Sequence, residues 1–216
     1  MLAAPSLRGG FASRLAALVW GLLLCAVGIV CFLESKLGLP PWDVLHQGIA
    51  EQTGILFGVA NLVVSAALVA LAWALRAPIG LGTLLNAGLI GVFVIGLTAL
   101  EPVAALSEEP LELRIALLAV ALVCFGGGSA FYIAAAMGAG PRDSLMLVAS
   151  ERLGLRIATA RTVIEVLALA VGFALGGTAG FGTLVFALGI GPAIEASFWL
   201  LARTPLTVAD VACSPA

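Results

Sequence analysis

The feature that most constrains this chain is that it reads twice. Pro41-Trp42-Asp43 returns as Pro141-Arg142-Asp143, and Gly80-x-Gly82-Thr83-Leu84 returns as Gly180-x-Gly182-Thr183-Leu184, both at a spacing of 100 residues. Between these blocks Leu45 pairs with Leu145, Glu51 with Glu151 and Gly54 with Gly154, without a gap. Over 38–91 against 138–191 one position in three is identical. A bias toward Ala, Leu and Gly would not concentrate matches on Pro, Asp and Glu. One unit of about 100 residues is used twice, and the fold must accommodate two copies of whatever that unit forms.

The unit belongs in lipid. Of the 216 residues 62% are hydrophobic and 10% charged, and the mean hydropathy is +1.19; a water-soluble domain of this size could not cover its core with so little polar surface. A net charge of −2 gives no basic field for nucleic acid, and no glycine-rich phosphate loop follows a strand. Cys25, Cys31 and Cys124 fall inside apolar runs and Cys213 near the end. They have no metal-ligand spacing and no disulfide framework, so they read as buried small hydrophobes and one free thiol. No metal or other cofactor is expected.

In chain order, 1–14 is a short cytoplasmic segment carrying Arg8 and Arg14. The apolar run 15–33 is long enough to cross a bilayer, and no cleavage site follows it, which predicts a retained span. Pro40 and Pro41 then break the helix, since each lacks an amide donor and pushes its predecessor toward an extended conformation. Residues 42–52 read as a helix too short and polar to span, re-entrant or interfacial, with Asp43 placed to cap its first turn. At helical spacing Asp43, His46, Gln47 and Glu51 share one face. Spans are expected over 57–75 and 82–100, completing repeat 1 at 15–100. An external acidic connection, 101–112, holds Glu101, Glu108, Glu109 and Glu112. Repeat 2 occupies 113–202, with spans over 113–137, 157–175 and 182–201 around a second break and a short helix over 143–153. A loose cytoplasmic tail is expected over 203–216.

The expected fold is therefore all-α: a polytopic membrane protein of about six spans, as two three-span repeats. An odd number of spans per repeat inverts the second copy relative to the first, an arrangement common in secondary transporters. The basic residues agree with an N-terminus inside, which puts Arg8, Arg14, Arg76, Arg142, Arg152, Arg156 and Arg203 in the cytoplasm and leaves Lys36 and Arg114 outside. Both termini are then cytoplasmic.

Polar groups in a bilayer are costly unless paired or wet, so each is a candidate. Asp43 and Asp143 lie where broken helices could open backbone groups and helix N-termini to a cavity, with plain capping as the structural alternative. Arg142 accompanies Asp143 in the second break, and Glu51 and Glu151 are repeat-equivalent acids on the two short helices. Arg161 and Glu165 are four apart and present in one copy only, opposite Asn61 and Ser65; they can neutralise each other, either as a structural ion pair or as part of a site for a chemically lopsided solute. Glu195 follows Pro192 with no sequence-local cation, a proton-coupling candidate or a residue that snorkels to the interface. His46 shares a face with Asp43, and Met146 replaces it in the other copy. Tyr132, Asn61 and Asn86 are further polar groups that sequence alone does not rank. With one histidine in the chain, no Ser/His/Asp or Cys/His arrangement can be built, so an enzyme is not expected.

Six segments carry a resemblance to a known family: 38–48 (GLPPWDVLHQG), 57–61 (FGVAN), 80–87 (GLGTLLNA), 138–146 (GAGPRDSLM), 161–165 (RTVIE) and 186–192 (FALGIGP). Together they resemble the YczE/YyaS/YitT group of bacterial integral membrane proteins over about 15–202. The resemblance implies a multi-pass protein of the bacterial cytoplasmic (inner) membrane, and it ranks Pro141-Arg142-Asp143 and Arg161-Thr162-x-x-Glu165 first among the candidates. It supplies no catalytic residues. The function expected is a small-solute permease or exporter with its site between the two breaks; the alternative is a non-transporting membrane scaffold or accessory protein that holds partner enzymes. The partners expected are the lipid bilayer and a small solute, with self-association into a homo-oligomer compatible with either reading, and no nucleic acid.

Overall fold

The computed structural model describes residues 7–77 and 79–207. Among these the chain is helical throughout: α1 (Phe11–Ser35), α2 (Pro41–Thr53), α3 (Phe57–Ala74), α4 (Leu81–Thr98), α5 (Glu101–Ala104), α6 (Leu111–Ala134), α7 (Pro141–Leu153), α8 (Ile157–Ala174) and α9 (Phe181–Ala202). Helices α2 and α7 begin at 41 and 141, α3 and α8 at 57 and 157, α4 and α9 at 81 and 181. Local chemistry sets these boundaries. A proline fills the first helical position of both α2 and α7, where a missing amide costs nothing, and a left-handed glycine ends each, Gly54 at φ 72° and Gly154 at φ 62°. At the starts of α4 and α9, Thr83 and Thr183 each accept a hydrogen bond from the amide of the preceding glycine, Gly80 or Gly180, at 3.1 Å.

Five helices, α1, α3, α4, α6 and α9, are long and apolar enough to cross a membrane. Helix α8 is 18 residues long, like α3, and carries Arg161 and Glu165. Helices α2 and α7 have 13 residues each, about 20 Å of helix, which is short of the ~30 Å hydrocarbon core. Apolar side chains such as Trp73, Val123 and Leu188 point outward, as lipid contact requires.

Small residues let the backbones meet. A methyl group on Gly21 of α1 would lie 2.7 Å from the Gly128 carbonyl and 2.8 Å from the Tyr132 amide, and one on Gly28 would lie 3.0 Å from the Ala121 carbonyl. Rising numbers in α1 meet falling numbers in α6, so the two pack antiparallel. The short helices cross over: α2 packs on α8, and α7 on α3. Gly172 of α8 lies against Val44 and Leu45 of α2, and Gly48 of α2 faces the Gly172 carbonyl. Gly176 is the left-handed end of α8 at φ 98°, and Gly180 precedes α9 against Gly38.

The breaks are held by the opposite half of the chain. Leu37 and Leu39 carbonyls, before α2, accept from the Gly182 amide at 2.8 Å and the Thr183 hydroxyl at 2.8 Å. Met137 and Ala139 carbonyls, before α7, accept from the Gly82 amide at 2.8 Å and the Thr83 hydroxyl at 2.5 Å. Non-helical backbone is thus satisfied where water is scarce.

Two expectations change here. The prolines leave Pro40 and Gly140 as the N-caps, so Asp43 and Asp143 are third in their helices and make no capping bond; their carboxylates turn inward. The segment expected to be a loose tail is pinned at its start, where the Arg8 amide donates to the Leu206 carbonyl at 2.7 Å and Leu7 bridges Thr207. Residues 208–216, with Cys213, lie outside the described residues. The 101–112 connection contains α5 and a turn of tighter helix at Ala105–Glu108, and its four glutamates are exposed.

Candidate functional site at the helix breaks

Both breaks open on one cavity of about 140 Å³. Pro40, Pro41 and Trp42 line it from the first break, and Gly140, Pro141, Arg142 and Asp143 from the second. The N-terminal ends of α2 and α7, where backbone amides lack helical partners, therefore lie in its wall. Polar groups arrive from three other helices: Asn86 on α4, Ser129 and Tyr132 on α6, Arg161 and Glu165 on α8. Ile29, Ile90, Phe125, Phe186 and Ile190 are among its apolar lining.

Each polar group has a distinct setting. Tyr132 donates its hydroxyl proton to Asp143 Oδ2 at 2.5 Å and accepts from the Gly140 amide at 3.4 Å, which ties the carboxylate to the break. Arg161 Nε donates to Glu165 Oε1 at 3.0 Å, one helical turn apart, with Arg161 about half exposed. Arg142 has no ion-pair partner among the described residues; its guanidinium stacks over Trp42 at 5.2 Å from the ring centroid, joining the two breaks by a cation–π contact.

The first copy treats its aspartate differently. Asp43 and His46 are fully buried and Asn61 is 1% exposed. Asp43 Oδ1 and Asn61 Nδ2 approach the same nitrogen, His46 Nδ1, at 3.1 Å and 3.2 Å, and Phe57 meets the ring edge-on. This cluster lies behind Trp42 and does not line the cavity. The equivalents of Tyr132 and His46 in the other copies of the unit are Phe32 and Met146, so the two aspartates cannot have the same surroundings.

Over residues 12–197 the sequence matches a family of unknown function, DUF6198. The chain belongs to this family. It is 35% identical over 205 residues to an uncharacterized protein of Haemophilus influenzae, covering 94% of this chain and 91% of that one. It is 35% identical over 170 residues to the uncharacterized membrane protein YczE of Bacillus subtilis, covering 78% of this chain and 77% of YczE. The uncharacterized protein YyaS of the same organism is 27% identical over 168 residues, covering 76% of this chain and 82% of YyaS. No solved structure matches. This DUF6198 chain is a membrane protein, and the matched range includes every residue of the cavity and of the Asp43 cluster.

Of the residues singled out from sequence, Arg142, Asp143, Arg161 and Glu165 meet at the cavity, and Asp43 and His46 meet behind it. Glu51 and Glu151 are exposed at the far ends of α2 and α7, and Glu195 is exposed on α9 away from the cavity. Tyr132 and Asn86 line the cavity and Asn61 joins the Asp43 cluster, and two residues not singled out from sequence, Ser129 and Trp42, line the cavity as well. Trp42 carried no polar signal, and only its place in the break could have pointed to it.

Proposed function

We propose that the protein is a permease or exporter of a small solute, whose site is the cavity between the two breaks. The observation that carries this reading is that one cavity is lined by both Pro-x-Asp segments together with intramembrane charge. Discontinuous helices that present their N-termini to a midplane cavity are how many secondary transporters build a site. A cavity of ~150 Å³ holds benzene, so the solute has roughly that bulk. The guanidinium of Arg142, which has no ion-pair partner among the described residues, and two helix N-termini favour an anionic group on it.

In this reading the chain crosses the bilayer six times, α8 being the sixth crossing, as two inverted three-span repeats. The antiparallel packing of the repeat-equivalent helices α1 and α6 supports inversion. The Leu7–Thr207 bridge supports an even number of crossings, because it brings the two ends of the described chain together. The arginine distribution favours a cytoplasmic membrane with both ends inside. No covalent chemistry is assigned to the chain.

The test compares metabolites inside and outside cells that carry the chain, lack it, or carry Arg142→Gln. A permease gives a solute that changes sides when the chain is lost, and Arg142→Gln reproduces the loss at normal protein levels. Unchanged distributions, with a partner enzyme released from the membrane on deletion, would instead make the chain a scaffold.

A further inference from the structure

Three atoms of the buried cluster have no hydrogen-bond partner among the described residues: Asp43 Oδ2, His46 Nε2 and Asn61 Oδ1. A polar atom sealed from water is destabilising when unpaired, so a purely structural role would leave this cluster poorly built. Its chemistry is that of a proton carrier. The one nitrogen that Asp43 and Asn61 both approach, His46 Nδ1, holds either a lone pair or a proton. With a lone pair it accepts from the Asn61 amide or from a protonated Asp43 carboxyl, and the ring proton is on Nε2. With a proton it donates to an ionised Asp43, and the Asn61 amide turns its oxygen inward. Asn61 suits both states because it carries donor and acceptor on one rotatable group.

The surroundings are defined. Asp43 is the only ionisable partner of the imidazole on α2 at hydrogen-bond distance. From α3 the cluster meets uncharged Asn61 and Phe57. Arg142, at the start of α7, and Cys25, on α1, are the further titratable or charged groups whose fields reach the pair. Helix α8 packs on α2 through Gly172, Ala168 and Ile164, with its charges already paired as Arg161 and Glu165.

We propose that Asp43, His46 and Asn61 form a proton site behind the solute cavity, in which loss of one proton moves the carboxyl proton of Asp43 to His46 Nδ1 and releases the proton of Nε2. The balance is one proton out and one negative charge left on Asp43, with the imidazole neutral before and after. Nε2, which has no partner among the described residues, is the exit, and Asp43 Oδ2 the entrance. Resting on the permease reading, the site couples proton movement to the solute through Arg142, which lines the cavity and whose charge reaches His46.

The chain has one histidine, so ¹⁵N-histidine labelling gives a single pair of ring resonances. The full chain in lipid nanodiscs is titrated from about pH 5 to about pH 9, which brackets the ordinary charge change of histidine, once with sodium and once with choline as the salt. The expected result is a tautomer exchange with rising pH, from protonated Nε2 to protonated Nδ1, alike in both salts and absent in Asp43→Asn. Resonances that do not move with pH, a switch that persists in Asp43→Asn, or a shift caused by sodium rather than pH would each overturn the proposal. If Asp43→Asn does not fold, the wild-type titration decides alone. Because no solute enters this measurement, its failure would leave the cavity reading standing, and an unchanged metabolite profile would leave the proton site standing.

Discussion

Arg14 and Arg114, equivalent residues of the two copies, each cap the helix that the other begins. Arg14, on α1, donates to the Ala135 and Ala136 carbonyls past the end of α6, both at 2.7 Å. Arg114, on α6, donates to the Ser35 carbonyl at the end of α1, at 2.7 Å. A cation at a helix C-terminus satisfies orphan carbonyls and opposes the negative end of the helix dipole.

Arg114→Ala should therefore cost about 1.5–3 kcal/mol of stability, the range for hydrogen bonds to charged groups. Arg14→Ala should cost more, because two carbonyls lose their donor. The sites are roughly 30 Å apart along α1, so the double variant should be additive. Thermal unfolding in detergent measures this, and a double variant no worse than either single would show that the caps act through one shared element.

The glycines should separate into two classes. Gly172→Ala places a methyl group against the backbone of Val44 and Leu45, which cannot give way, and should abolish folded yield. Gly88→Ala meets nothing within 4 Å and should stabilise α4 by up to about 1 kcal/mol through helix propensity. Size-exclusion profiles of the two variants distinguish them.

Arg161 and Glu165 should behave as a unit. Either one changed to Ala leaves an uncompensated charge and should lower folded yield or activity, whereas the double change or the exchange of the two should recover part of the folding. Recovered folding without recovered activity would assign the pair to the solute site. Additive losses would mean that the 3.0 Å contact contributes nothing.

Thr83 and Thr183 should tolerate Ser and not Val. Thr183→Val removes the acceptor for the Gly180 amide and the donor to the buried Leu39 carbonyl, the second at about 1–3 kcal/mol for a group left buried and unpaired. Thr183→Ser keeps both. Equal melting temperatures for the two variants would contradict the role given to the hydroxyl.

Much of this architecture was legible in the sequence because its punctuation is local. Pro41 and Pro141 fix two helix starts, Gly54 and Gly154 fix two ends, and the spacing of 100 residues links them. What could not be read is the exchange between copies. Nothing in the sequence says that Thr83 will bind the Ala139 carbonyl rather than a group of its own copy, or that α2 will lie on α8. Side-chain direction escaped for the same reason: Asp43 reads as a cap until the proline takes the first helical position and turns the carboxylate toward His46. The polar residues at the cavity were visible as intramembrane polar groups, but which of them converge depended on that exchange.

The proposed opposed orientation of the two copies is tested most directly by sidedness. Lys36 and Ala136 are equivalent, exposed, left-handed residues, at φ 53° and 50°, just before the two breaks. In a variant lacking Cys25, Cys31, Cys124 and Cys213, a cysteine at either position is offered to an impermeant thiol reagent on intact cells. Lys36→Cys should react from outside, and Ala136→Cys only after the membrane is opened. Labelling of both from the same side would contradict inversion and remove the basis for a site reached alternately from the two faces of the membrane.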